Sequence, residues 1–214
     1  MNKPLRIIII CLCLTGFGNS RSILANVDSV LAVCKENQLS NKEQFQIINA
    51  YYVAHTATAP EEALQLIDYH YALATKNDEK REIINALNEK GFVSHMKGNA
   101  PATMKAFKQT LELAVALGDS DILARQYLNI GNAYRLQNKY QITIRYYELS
   151  LAIFQEKKLL NLVAHALNNI GLVYYDIKDY DRALSHLNKA LVLYKTLGVE
   201  DKTGAIWLNI GFLS

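Results

Sequence analysis

Apolar residues recur along this chain with a period between three and four. Leu167, Ile170, Gly171 and Tyr174 are spaced i, i+3, i+4, i+7, and Ala183, Leu184, Leu187, Ala190, Leu191 and Tyr194 keep the same rhythm. Such spacing lays one apolar stripe along a helix. Short polar breaks divide the runs in pairs: KGN before Ala100, QNK before Tyr140, IKD before Tyr180. Between pairs stand what read as longer polar links, TKNDEK, LGDSD, QEKKL and LGVED. Asn99 and Asp179 suit helix N-caps. Pro60 and Pro101 fall where a first helical turn tolerates proline. No segment alternates with period two. The pattern therefore predicts an all-α chain of antiparallel helix pairs.

The pairs repeat. Gly91, Gly131, Gly171 and Gly211 stand forty residues apart, in ALNEKGFV, YLNIGNAY, LNNIGLVY and WLNIGFL. Tyr51 takes the place of the glycine one step earlier. The second halves keep the same register: Ala63, Thr103, Thr143 and Ala183 are small, and Ile67, Phe107, Tyr147 and Leu187 are bulky. This divides the chain into a lone second helix at 23–38, units at 41–78, 81–118, 121–158 and 161–198, and a partial unit at 201–214. A mid-helix glycine costs about 1 kcal/mol relative to alanine. Gly171 and Ala183 are expected to face each other across their hairpin, so that the two backbones approach closely. One helix pair cannot bury its apolar face alone, whereas stacked pairs form a solenoid.

These residues resemble the tetratricopeptide repeat. The matching positions are Leu167, Ile170, Gly171, Tyr174, Ala183, Leu187 and Ala190, and, one unit earlier, Tyr127, Ile130, Gly131, Tyr134, Thr143, Tyr147 and Ser150. The unit before departs at Lys90 and Ser94, and Gln155 and Lys195 stand where the family has a proline. The forty-residue spacing is similar to that of the longer-repeat subgroup, which includes kinesin light chains and bacterial peptide-sensing regulators. The resemblance implies a right-handed α-solenoid whose first helices line a concave groove for an extended peptide. The family's asparagine ladder falls on Asn129, Asn169 and Asn209, with Glu89 in the weaker unit and Asn132 and Asn168 beside it. A carboxamide both donates and accepts, and so pairs with a peptide group. Arg125, Arg135, His165 and Tyr175 are placed to flank the groove. The other reading makes the asparagines fix one unit against the next and the arginines solvated charge. The lysine of the family's carboxylate clamp is missing at Leu128 and Asn168.

Charge and composition narrow the function. The 214 residues hold 23 basic and 20 acidic side chains. Residues 1–22 read as a secretory signal: Lys3 and Arg6, an uncharged stretch from Ile7 to Phe17, then small residues. They carry three of the basic residues and no acid, so the remainder balances at 20 and 20. A neutral chain has no electrostatic footprint for nucleic acid. Export predicts a periplasmic or extracellular protein, with no membrane insertion of the mature chain. Cys34 then stands alone, without an intrachain disulfide partner. No phosphate loop, nucleophile elbow or zinc-binding histidine pair occurs, so no enzyme activity, metal or cofactor is expected. His70 reads as a packed, hydrogen-bonded histidine. The chain stops ten residues into a new first helix, where Trp207, Ile210 and Leu213 call for a cover. The sequence thus describes a protein- or peptide-binding scaffold, read as the extracytoplasmic sensor portion of a longer signalling protein such as a histidine kinase or helix-turn-helix regulator. The alternative is an oligomerising module that associates with its own copy through the C-terminal edge.

Overall fold

The computed structural model describes residues 27–36 and 39–211. Residues 1–22, read above as a secretory signal, and Leu213 lie outside them. Among the described residues ten helices follow one another: α1 (Val27–Glu36), α2 (Asn41–His55), α3 (Pro60–Lys76), α4 (Lys80–Met96), α5 (Ala100–Leu117), α6 (Ser120–Leu136), α7 (Tyr140–Glu156), α8 (Leu160–Asp176), α9 (Tyr180–Thr196) and α10 (Glu200–Gly211). No strand occurs among the described residues.

From the end of α3 onward the reversals share one local device. Asp78, Gly98, Gly118, Asn138, Lys158, Lys178 and Gly198, twenty residues apart, all have φ between 55 and 70°. The next N–H reaches back five residues, as from Glu79 to Ala74 at 2.9 Å, Asp179 to Tyr174 at 2.9 Å and Val199 to Tyr194 at 3.0 Å. This is the Schellman closure, which satisfies carbonyls that the helix end leaves unpaired. Where that next residue is Asp or Asn, it also caps the following helix. Asp119 accepts from the N–H groups of Asp121 and Ile122, Asp179 from that of Arg182, and Asn99 from that of Ala102. The first hairpin starts differently, with a capping box between Ser40 and Glu43.

The links between units are consequently no longer than those within them. Residues 77–79 join α3 to α4, and residues 97–99 join α4 to α5. The remaining polar residues of TKNDEK and its counterparts belong to exposed helix ends, where they are as well solvated as in a loop. Lysine is an unusual residue at positive φ, where its Cβ is crowded. Lys178→Gly is expected to stabilise the protein by about 0.5–1 kcal/mol. A thermal midpoint that stays put or falls would contradict this.

The chain divides into two compact units between Ala106 and Phe107, within α5. In the first unit, Val30 and Cys34 of α1 pack with Ile47, Ile48 and Tyr51 of α2 and with Ala63, Leu66 and Ile67 of α3. Burial pushes the Cys34 thiol up to about 11, so it remains a neutral apolar filler. His70 is 2 % exposed. Its Nε2 meets Glu82 Oε2 at 3.1 Å, and its ring packs against Phe45 at 4.6 Å.

Burial lowers the pKa of His70, against an opposing pull from Glu82 and Glu79. The folded state thus prefers neutral His70, and the unfolded chain takes up the proton first as pH falls. Its contribution is complete above the ordinary histidine value of about 6.5 and is lost below it. His70→Thr, copying Thr110 at the same register, should flatten the decline in Tm between about pH 7 and pH 5. An unaltered pH slope would count against the assignment.

In the second unit, Ala124 and Leu128 of α6, Tyr147 and Phe154 of α7, Ala164, Leu167 and Ile170 of α8, and Leu187 and Tyr194 of α9 form one core. Its tightest points are Gly131 of α6 and Gly171 of α8. A Cβ on Gly171 would lie 2.8 Å from Leu187 Cγ and 3.2 Å from the Ala183 carbonyl oxygen. A Cβ on Gly131 would lie 2.5 Å from Tyr147 Cε1. The expected pairing of Gly171 with Ala183 is therefore incomplete. The glycine makes room chiefly for the large side chain one turn beyond Ala183, and the small residue at 183 admits the backbone.

Candidate functional site

The first helices of the second unit each bury one broad stripe and leave the opposite one accessible. On α6 the buried stripe is Ala124, Leu128, Ile130, Gly131 and Ala133. On α8 it is Val163, Ala164, Leu167, Ile170, Gly171 and Val173. The candidate residues lie off these stripes or at their margins. Arg125 is exposed, Asn129 and Asn132 are half-buried, and His165 is exposed. Asn168 and Asn209 are half-buried, Asn169 is buried, and Tyr175 is exposed.

Their partners separate them. Asn132 Oδ1 accepts from the Tyr147 hydroxyl, which ties it to the helix behind. Arg135 Nε donates to Asp176 Oδ2 at 2.7 Å. That bond links α6 to α8, and both side chains are roughly a quarter to a third exposed. Such a pair contributes at most about 1 kcal/mol, but it neutralises one of the two arginines placed to flank the groove. Asn169 Nδ2 lies 3.5 Å from His165 Nε2, at the outer limit of a hydrogen bond. The Asn168 Oδ1 is buried without a partner among the described residues. The side chains of Asn129 and Asn209 make no hydrogen bond to any described residue. The ladder therefore includes carboxamides not consumed by internal bonding. Tyr175 packs at a tilt against Tyr180, their centroids 6.0 Å apart. Arg125 stays available.

The first unit presents the same register with different chemistry. Glu89 stands at the ladder position of α4 and receives a hydrogen bond from the Tyr52 hydroxyl of α2. Burial raises the Glu89 carboxyl above the usual carboxylate range, partly offset by that bond. Tyr51 and Tyr52 are both buried, at 1 % and 5 %. Both rings of this adjacent pair turn inward, and the Tyr52 hydroxyl meets the Glu89 carboxylate there. Asn49, forty residues before Glu89, is exposed at the ladder position of α2. The forty-residue period itself identifies it, but the missing glycine hides that unit from a glycine-based search.

At the C-terminal edge, Trp207 is 53 % exposed and the Lys195 ammonium sits 5.0 Å from its ring centroid. Ile210 is half-buried against the second unit's core. Among the described residues no group of three metal-ligating side chains is placed to hold an ion. No helix there is long and apolar enough to cross a membrane.

The fold and its forty-residue register define an array of antiparallel helix pairs built on one repeated unit. Tetratricopeptide-repeat family models match residues 82–156 and 164–197. These two segments are tetratricopeptide repeats. Solved structures share the architecture. RapI in its apo form is 12% identical, with 97% of this chain and 77% of that chain covered and a TM-score of 0.78. PlcR of Bacillus thuringiensis, solved in complex with the peptide PapR7 and DNA, is 14% identical, with 96% and 75% covered and a TM-score of 0.68. A Rap protein complexed with competence and sporulation factor is 16% identical, with 91% and 55% covered and a TM-score of 0.71. At these identities the likeness is one of fold alone. No curated protein matches the sequence.

Proposed function

We propose that this protein is a non-enzymatic scaffold that binds an extended peptide along the accessible stripe of its first helices. The observation that carries this reading is the row of ladder carboxamides, above all Asn129 and Asn209, whose side chains have no hydrogen-bond partner among the described residues. Evenly repeated donors and acceptors suit the evenly repeated peptide groups of an extended chain. PlcR, which shares the fold, was solved with a peptide, and that precedent supports the reading. Asn169 serves as the middle rung, with Asn168, Arg125, His165 and Tyr175 at its border. Changing Asn129, Asn169 and Asn209 together to alanine should abolish peptide capture while helicity and Tm stay near the parent values. Capture that survives would place the peptide elsewhere.

Export through residues 1–22, and a sensor role in a longer signalling protein, belong to the same proposal. They rest on the basic-apolar-small pattern of that segment and on the fold shared with PlcR. Fractionation of cells expressing the full chain tests the first point: retention in the cytoplasm at full length would refute export. A second reading, self-association through the C-terminal edge, is favoured by the exposed Trp207 beside half-buried Ile210. It predicts a concentration-dependent mass that Trp207→Arg removes. A mass that stays monomeric at all concentrations excludes it.

A further inference from the structure

An apolar depression lies in the hairpin of α8 and α9, apart from the ladder. It is an open groove of about 610 Å³. Val163 and Leu167 form its floor, 5 % and 7 % exposed, and Leu160 and Val192 form walls left 43 % and 62 % exposed. Gln155 and Lys158 border it from the preceding helix and turn, and Asn188 and Lys189 from α9. Gly171 packs beside Leu187, which fixes the antiparallel register. The start of α8 therefore lies against the end of α9. Lys158 accordingly stands at the Leu160 end and Lys189 at the Leu167 end. Those ends are about 10 Å apart along α8.

Both lysines lack an acidic partner among the described residues. Lys157, one residue away, is paired with Asp121. The repeat does not account for the two lysines, because forty residues earlier the same places hold Gly118 and Leu149, and Asn188 corresponds to Glu148. Lys158 also occupies its place at φ 56°, where Gly118 and Gly198 serve the neighbouring repeats without strain. An apolar trough with a free ammonium at each end complements an apolar segment with a carboxylate at each end.

We propose that this groove docks an acidic peptide segment whose aliphatic side chains are flanked on both sides by Asp or Glu. A fatty acid fills the trough equally well but brings one carboxylate, leaving the second lysine unmatched. The Gln155 and Asn188 carboxamides supply partners for peptide groups, which a hydrocarbon chain lacks. This site is independent of the ladder and of the reading drawn from it.

The probe is a blocked, fluorescein-labelled peptide, Glu-Leu-Ala-Ala-Leu-Glu, titrated with the purified protein and followed by anisotropy. Lys158→Gly and Lys189→Gln should each weaken binding about fivefold, and the pair about twentyfold. The Gln-Leu-Ala-Ala-Leu-Gln counterpart should bind about twentyfold more weakly to the parent protein. High salt should erase the difference. Changing Asn129, Asn169 and Asn209 to alanine should leave this binding intact, which separates it from the ladder. Both lysines are surface residues, and a melt of each variant verifies folding. Equal affinity for the two peptides, or no loss in the double lysine variant, would overturn the proposal. So would binding of laurate by the parent protein where the acidic peptide fails, which would make the groove a lipid site.

Discussion

Tyr147→Ala is expected to lower the stability of the protein by about 3–5 kcal/mol. Tyr147 is fully buried, with its ring seated over Gly131 and its hydroxyl on Asn132. Deleting it removes a large buried ring. The cavity left behind faces a glycine, which has no side chain to move into it. Tyr147→Phe keeps the ring and loses one hydrogen bond, so its cost should be nearer 1 kcal/mol. Urea unfolding of the three proteins side by side measures the contrast. Equal, small losses in both variants would mean that the ring is not a keystone of this core.

Gly131→Ala is expected to destabilise by about 1–3 kcal/mol, although alanine is the better helix former by about 1 kcal/mol. The added methyl would stand 2.5 Å from Tyr147 Cε1 and 2.6 Å from Cδ1. The struck atoms belong to a rigid, enclosed ring and cannot swing aside. The effect should change sign when the ring is absent. In a Tyr147→Ala background, Gly131→Ala should stabilise, because only the helix preference and the partly filled cavity remain. A destabilisation that persists in that background would show that something other than the ring requires the glycine.

The helical period and the forty-residue register were readable from the sequence because apolar stripes and small-large pairs leave a mark at every repeat. Gly131, Gly171, Tyr147 and Leu187 all sit in the core that the pattern predicts. The short reversals were less legible. Asp78, Asn138, Lys158 and Lys178 take a conformation that glycine usually signals, and only three of the seven positions hold glycine. Twenty-residue spacing, rather than residue type, gives them away. At the candidate site the residue types were visible but their partners were not. Asn132, Asn168 and Asn169 are all asparagines of first helices, yet one binds a tyrosine, one buries an unpartnered oxygen and one approaches a histidine. Arg135 reads as a free cation until Asp176, forty-one residues away, is placed beside it. Such pairings depend on how adjacent repeats stack, which a pattern within one repeat does not encode.

The central claim is that the ladder carboxamides read the backbone of an extended peptide. The most direct measurement incubates a random-sequence peptide pool with the immobilised protein and with its Asn129→Ala, Asn169→Ala, Asn209→Ala triple variant. The captured peptides are then compared by mass spectrometry. The parent protein should enrich a defined set of peptides that the folded triple variant fails to retain. The same set captured by both proteins, or none enriched by the parent, would contradict the claim.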